Sequence, residues 1–291
     1  MAIPNISISE SPCASPPALP GGRDALAVTM KNLRIYGKKP YQIAVVHGGP
    51  GAPGSIAPVA RELAADAGIL EPLQTKDSLE GQIQELHDVL NEHADLPAIL
   101  IGHSWGAMLS FIVAARYPPL VKKLIMVGSG PFEQKYADNI AGDRLNRLSE
   151  KDRIAAIEAI EIINDPAGKG KDKSLARMGE LFAKADTYHA LPPEKEPEPL
   201  EVSEEINRKV WAEAKKLRVS GELLKMGKKI KCPVVAIHGD YDPHLAEGVR
   251  VPLSRVLKDF RFILLEKCGH EPWRERYAKV KFYELLRREI E

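Results

Sequence analysis

Two rhythms of apolar residues alternate along the chain. Short apolar runs at 41–46, 98–102, 124–128, 233–238 and 260–265 have the length and continuity of strands buried on both faces. Between and after them, apolar residues recur at helical spacing over 59–65, 81–91, 107–116 and 278–290. Leu26, Val28 and Met30 alternate with small or polar residues and predict an early strand, and Ile6 and Ile8 between serines predict a shorter one. Strands alternating with helices imply a mostly parallel sheet flanked by helices, with right-handed crossovers.

The middle of the chain breaks this rhythm. From Phe132 to Gly227 no strand pattern occurs, and helical periodicity appears over 152–164, 175–185 and 204–217, with charges on the outer faces. Gly168-Lys169-Gly170-Lys171 and the proline-rich stretch at 191–197 separate these helices as loops. The glycine-lysine stretch lacks the GxxxxGK[ST] spacing and the preceding strand of a phosphate loop, so it is a solvated turn. The predicted organisation is an extension at 1–22 that is loose or wrapped on the surface, an α/β core at 23–131 and 229–291, and an inserted helical cap at 132–228. The extension holds five Pro, four Ser and two Gly.

Composition narrows the classes. With 41 Lys+Arg against 40 Asp+Glu, the 291-residue chain has a net charge of +1, which argues against a polyanion partner such as nucleic acid. No apolar run reaches the roughly 18 residues of a membrane span. Three cysteines without CxxC spacing fit a reducing compartment and offer no zinc signature. No secretory signal pattern is seen at the N-terminus. The expectation is a cytoplasmic protein without metal or cofactor, with no nucleic-acid or membrane partner, and of open oligomeric state.

Chemistry concentrates at strand ends. Gly102-His103-Ser104-Trp105-Gly106 matches G-x-S-x-G between an apolar strand and a helix, the context in which a sharp turn exposes a serine nucleophile. A serine hydroxyl needs a base, and the order Ser…Asp…His is completed by His238-Gly239-Asp240-Tyr241-Asp242 and by Cys268-Gly269-His270. Asp242 is favoured over Asp240 as the acid, because Asp240 suits the turn. His47 and His103 are expected to support loop geometry, and Cys268 to be a buried thiol. The glycine-rich His47-Gly48-Gly49-Pro50-Gly51 follows the first buried strand. Its Gly49 N–H and the Trp105 N–H are the expected oxyanion donors.

These motifs make the sequence similar to the α/β-hydrolase superfamily. The HGGPG loop and GHSWG elbow resemble the proline iminopeptidase group. That resemblance covers the core and implies an α/β-hydrolase fold, a cap over the substrate, a cofactor-free Ser104–His270–Asp242 triad and removal of an N-terminal residue from short peptides. The sequence departs from that group at 70–78, where D-Q-R-G-x-G-x-S is absent, and at His103, which stands where the group commonly has Gly. Three readings follow. One is an aminopeptidase or close amidase acting on a small molecule or short peptide. Another is a carboxylesterase-like or carbon–carbon bond hydrolase, and the third is a hydrolase-fold receptor that binds its ligand. An aminopeptidase needs acids to hold a free amine, and the cap offers Glu158, Glu161, Glu180 and Asp186 among others. Trp211 and Tyr188 are candidates for the pocket lining.

Overall fold

The computed structural model describes residues 28–192 and 200–291. The expectations for 1–22, for the strand at Ile6 and Ile8, and for much of the 191–197 loop lie outside the described residues. In chain order the strands are β1 (Val28–Thr29), β2 (Leu33–Tyr36), β3 (Ile43–Val46), β4 (Ile69–Pro72), β5 (Ala98–His103), β6 (Val121–Val127), β7 (Val234–Gly239) and β8 (Phe260–Leu265). They form one sheet in the order β1-β2-β4-β3-β5-β6-β7-β8. The pairs from β4 through β8 are parallel, and β1 and β2 add antiparallel pairing at one edge.

The helices are α1 (Ala57–Leu63), α2 (Leu79–His93), α3 (Trp105–Arg116), α4 (Ile140–Arg147), α5 (Glu150–Asn164), α6 (Lys171–Ala185), α7 (Glu204–Val219), α8 (Glu222–Met226), α9 (Glu247–Ser254) and α10 (Lys279–Ile290). Side chains alternate across the sheet, as period-2 geometry requires. Ala44, Val46 and Leu100 face a layer containing α2, α3 and α9. Ile43, Val45 and Ile101 face α1 and α10 on the other side. Eleven residues of α3, from Trp105 to Ala115, are buried, the pattern of a helix enclosed on all sides. Burial on that scale fixes the N-terminus of α3 against the sheet.

All five strands expected from apolar runs are present, although β8 lies at the sheet edge and is only partly buried rather than covered on both faces, and two further strands escaped the hydrophobic pattern. β2 and β4 pair with each other, and Arg34 stands opposite Glu71 in their register. Both charged residues are buried, at 6% and 0% exposure. The Tyr36 hydroxyl donates to Glu71 Oε2 at 2.6 Å, and the Arg34 guanidinium lies 3.8 Å from the same oxygen. Burial first, then the Glu71 charge, pushes the Tyr36 phenol well up. A buried polar cluster thus replaces the apolar run that would otherwise mark the strands.

Between β6 and β7 the described residues form α4 to α8 and no strand, apart from an isolated bridge between Ala190 and Glu275. The helices there are longer and more numerous than periodicity indicated, since α4 and α8 were not anticipated. Leu148, Ala156, Leu181 and Ala185 form a small apolar cluster of their own. Val210 and Ala214 of α7 join the main core beside α2 and α3. Gly170, at φ +74°, stands immediately before α6, so the glycine-lysine stretch is a helix-entry turn.

Candidate active site

Four loops at the carboxyl ends of parallel strands converge, where open α/β sheets build their sites. Ser104 lies between β5 and α3 at φ 51°, ψ −111°, a conformation that costs an L-residue roughly 1–3 kcal/mol. Packing holds it there. A Cβ on Gly102 would lie 2.3 Å from the Gly106 carbonyl, and one on Gly106 would lie 2.1 Å from the Val46 carbonyl. The Ser104 N–H donates to the Val127 carbonyl at 3.0 Å, tying the turn to β6. Trp105 is the first residue of α3, so its N–H has no intrahelical acceptor and is available to a ligand. Its indole is buried and donates to Gln82 Oε1 at 2.9 Å.

Asp242 and His270 meet. His270 Nδ1 lies 2.7 Å from Asp242 Oδ2, so Nδ1 carries the proton and Nε2 is left as the basic nitrogen. Burial draws the His270 pKa down, but the Asp242 charge and hydrogen bond outweigh it and the net shift is upward. Burial acts to raise the Asp242 carboxyl, yet the surrounding histidines, His270 foremost, hold it well below the usual carboxylate range. Gly128, at φ +52° just beyond β6, makes room for His270, since a Cβ there would lie 2.7 Å from the His270 carbonyl. Asp240 serves the loop, with Oδ1 accepting from the Cys268 N–H at 3.1 Å.

A second histidine shares the carboxylate. Asp242 Oδ1 accepts from the His244 N–H at 2.9 Å and from His244 Nδ1 at 2.8 Å. The His244 ring stacks on that of His270, with centroids 4.5 Å apart. Burial lowers the His244 pKa to about 4, partly opposed by Asp242, so it is a neutral donor at physiological pH. His238 Nε2 donates to the His244 carbonyl at 2.6 Å. Neither residue carries a motif signal; the one sequence cue is a histidine two positions after Asp242. Asp242, His244 and His270 bring ligand-capable atoms within 4.8 Å of one another, but both imidazole Nδ1 protons are engaged with the carboxylate.

His103 and His47 brace the loops. His103 Nε2 donates to the His270 carbonyl at 3.2 Å, and its ring packs between His270 and Trp273. A Cβ on Gly48 would lie 2.7 Å from His103 Nδ1 and 3.0 Å from Ser104 Cβ, so the glycine loop passes directly over the serine turn. His47 is fully buried, with Nδ1 2.9 Å from the Gly48 carbonyl and Nε2 2.9 Å from the Leu73 carbonyl. Cys268 is fully buried, and burial pushes its thiol well up, which makes it unreactive.

The helices between β6 and β7 grip two of these loops. The His270 N–H donates to the Asp186 carbonyl at the end of α6, at 2.8 Å. Arg144 of α4 pairs with both Asp186 carboxylate oxygens, at 2.7 and 2.6 Å. Arg147 donates to the Tyr241 carbonyl, beside Asp242, at 2.6 Å. Glu275, wholly buried, accepts from the Tyr188 and His189 N–H groups and from the Gly269 N–H. Tyr188 is itself 46% exposed, while Trp211 packs edge-on against Trp105 with centroids 5.4 Å apart. A cavity of about 910 Å³ lined by Lys38, Ala64, Gly68, Ile99 and Arg287 lies at the opposite, amino-terminal end of the strands.

Comparison with known proteins agrees with this architecture. The family model described as alpha/beta hydrolase fold matches residues 74–273. A pimeloyl-[acyl-carrier protein] methyl ester esterase of Neisseria meningitidis serogroup A is 24% identical over 200 residues, 66% of this chain and 57% of that protein. The match thus spans little more than half the length of that relative. The solved structure of VinJ superposes with a TM-score of 0.60 at 17% identity, covering 93% of this chain and 99% of that one. The proline iminopeptidase of Mycobacterium smegmatis does so with a TM-score of 0.57 at 16% identity, covering 92% and 97%.

Proposed function

The chain belongs to the α/β-hydrolase fold family, and from that membership we propose a serine hydrolase that cleaves a small carboxylic ester through an acyl-enzyme on Ser104. The observation that carries the proposal is the 2.7 Å Asp242–His270 contact at the same end of the sheet as the strained Ser104 turn. Ser104 Oγ attacks the substrate carbonyl carbon while His270 Nε2 takes its proton. Asp242 holds the ring in the Nδ1–H tautomer and stabilises the imidazolium. The Gly49 and Trp105 N–H groups receive the oxyanion. Collapse of the tetrahedral intermediate breaks the bond to the leaving alcohol, which takes the proton from His270. Water then repeats the sequence on the acyl-enzyme and releases the acid. In this reading residues 132–228 form a cap over the substrate, inserted into a core of 23–131 and 229–291, and the chemistry uses no metal or cofactor.

An ester is favoured over a peptide amino terminus by the state of the candidate acids. Glu158, Glu161 and Glu180 are exposed, and Glu180 pairs with Arg177. Asp186 is occupied by Arg144, and Glu271, next to the base, pairs with Arg274 at 2.9 Å. A free substrate amine would have to displace an arginine from either of the last two. The low-identity esterase relative supports the same choice. The aminopeptidase reading rests on the HGGPG loop and on one structural neighbour.

A panel of p-nitrophenyl esters and prolyl p-nitroanilide, run with wild type and Ser104→Ala, decides between them. The expected result is ester turnover by wild type and a loss on the order of 10³-fold or more in the variant. Fluorophosphonate labelling should occur in wild type only. Equal turnover by Ser104→Ala would sink the proposal, and dominant prolyl-anilide hydrolysis would restore the peptidase. Binding without turnover would favour the receptor.

A further inference from the structure

The loop that carries Gly49 is held from two sides. Its backbone is permissive, because Gly49 and Gly51 flank Pro50 at φ +67° and +73°. Four successive carbonyls nevertheless each meet a hydrogen-bonding group. Gly48 O lies 2.9 Å from His47 Nδ1, and Gly49 O accepts from the Ala52 N–H at 3.0 Å. Pro50 O accepts from Asn207 Nδ2 at 2.9 Å, and Gly51 O accepts from the Ser203 N–H at 2.8 Å. The first two partners belong to the core. The last two belong to the start of α7, in the helical segment.

The contact with α7 is close and fixed. A Cβ on Gly51 would lie 2.4 Å from the Ser203 carbonyl and 3.1 Å from the Asn207 nitrogen. Ser203 Oγ caps α7 by accepting from the Ile206 N–H at 3.3 Å, and Asp172 of α6 accepts from the Glu204 N–H at 2.7 Å. Asn207 is half-buried, and its amide reaches the loop from a helix that is anchored at both the core and α6. Proline locks φ at position 50. Few free torsions therefore separate the Pro50 carbonyl from the peptide bearing the Gly49 N–H: φ and ψ of Gly49 and ψ of Pro50. Restraining the carbonyl restrains the direction of that N–H.

We propose that Asn207 is a positioning residue for the oxyanion loop, acting through the Pro50 carbonyl to aim the Gly49 N–H at the reacting oxygen. The inference rests on the serine hydrolase reading above. It makes the helical segment a working part of the transition-state site. A lid that swung away from the core would have to break both contacts to Pro50 and Gly51, so the oxyanion loop is fully held only while α7 is docked.

The test uses Asn207→Ala and the near-isosteric Asn207→Asp, neither of which can donate to Pro50 O as an ionised or truncated side chain. Each is compared with wild type for p-nitrophenyl ester turnover and for affinity toward a trifluoromethyl ketone, whose serine adduct places an oxyanion in the hole. Both variants should lower kcat about tenfold, since misaimed donors lose transition-state stabilisation, while KM stays within about twofold. The ketone should weaken by the same factor as kcat, and the acid limb of the pH profile should stay in place because the Asp242–His270 pair is untouched. A merely structural role would not tie ketone affinity to kcat in this way. Wild-type kcat in both variants, reduced kcat with undiminished ketone affinity, or a displaced acid limb would each overturn the proposal. Loss of native circular dichroism in both would assign Asn207 to folding and overturn it too. If wild type turns over none of the panel, the hydrolase reading falls and this inference with it; if wild type is active and these variants match it, this inference falls by itself.

Discussion

Asp242 decides the acid–base behaviour of the site. Its carboxylate is wholly buried yet ionised, because it accepts from His270 on one oxygen and from His244 on the other. A raised His270 pKa means that the neutral base forms only above the ordinary histidine value of about 6.5. Activity should therefore fall on acidification with a midpoint above pH 6.5, measured as kcat/KM for an ester. Asp242→Asn removes the charge that outweighs burial, so the midpoint should drop below 6.5 and kcat should fall by roughly 10⁴-fold. An unmoved midpoint in that variant would show that another group sets the limb. The Asp242–His270 contact and the Ser104 turn were legible in the sequence because each of these residues follows an apolar strand, in the Ser…Asp…His order that α/β-hydrolase topology uses. His244 and His238 were not. Their contacts depend on how the loop after β7 turns back, and a histidine after Asp-Pro carries no periodic signal. His47 and His103 read as loop supports from their place beside the motifs, and the approach of their ring nitrogens to the Gly48, Leu73 and His270 carbonyls gives that support its atoms.

At the scale of elements, one buried carboxylate gathers three of the contacts that join the helical segment to the sheet. Glu275 accepts at 2.7 Å from Tyr188, 2.8 Å from His189 and 2.7 Å from Gly269. It thereby fastens the exit of α6 to the loop that carries His270. Hydrogen bonds to a charged acceptor contribute about 1.5–3 kcal/mol each. Glu275→Gln exchanges one acceptor oxygen for an N–H that would face an N–H donor. We expect a loss of about 2–4 kcal/mol in denaturant unfolding, with reduced kcat in the folded enzyme. A change below about 0.5 kcal/mol would mean that the joint is held by packing instead. The elements most legible in sequence were those with long periodic patterns. α2, α3, α5, α6, α7 and α10 fall within a few residues of their predicted spans, and β5, β7 and β8 do so too. β2 and β4 were hidden because their central positions are the buried charges Arg34 and Glu71. α9 contains Pro252, and α4 has no buried residue. Both have eight residues, fewer than the roughly 11–18 over which helical periodicity can be read.

For the whole molecule, the cluster of buried histidines sets how stability changes with acid. Burial lowers the pKa of His47, His103 and His244 below 6.5. Each binds a proton more readily in the unfolded chain, so each contributes stability that is present above pH 6.5 and is lost as pH falls below it. His270 is raised and acts in the opposite sense. Its contribution is complete below 6.5 and disappears as pH rises through its folded value. Three groups against one make the net effect a loss of stability on acidification. The window opens at about pH 6.5, and for His244 it closes near its folded value of about 4. A displacement from 6.5 to about 4 in a buried ring corresponds to roughly 3 kcal/mol for His244. The surface carboxylates add little until pH approaches their own range near 4, so the histidine window can be observed first. Denaturant unfolding at pH 7.5, 6.5, 5.5 and 4.5 should show stability greatest near the top of the window and falling through it. At pH 5.5, unfolding should take up protons, and His244→Gln should reduce that uptake by about one. The variant keeps a donor for Asp242 Oδ1, so a smaller slope with an intact fold isolates the titration of the ring. An unchanged slope would place His244 in contact with solvent, and the shared-carboxylate arrangement would then lose its electrostatic basis.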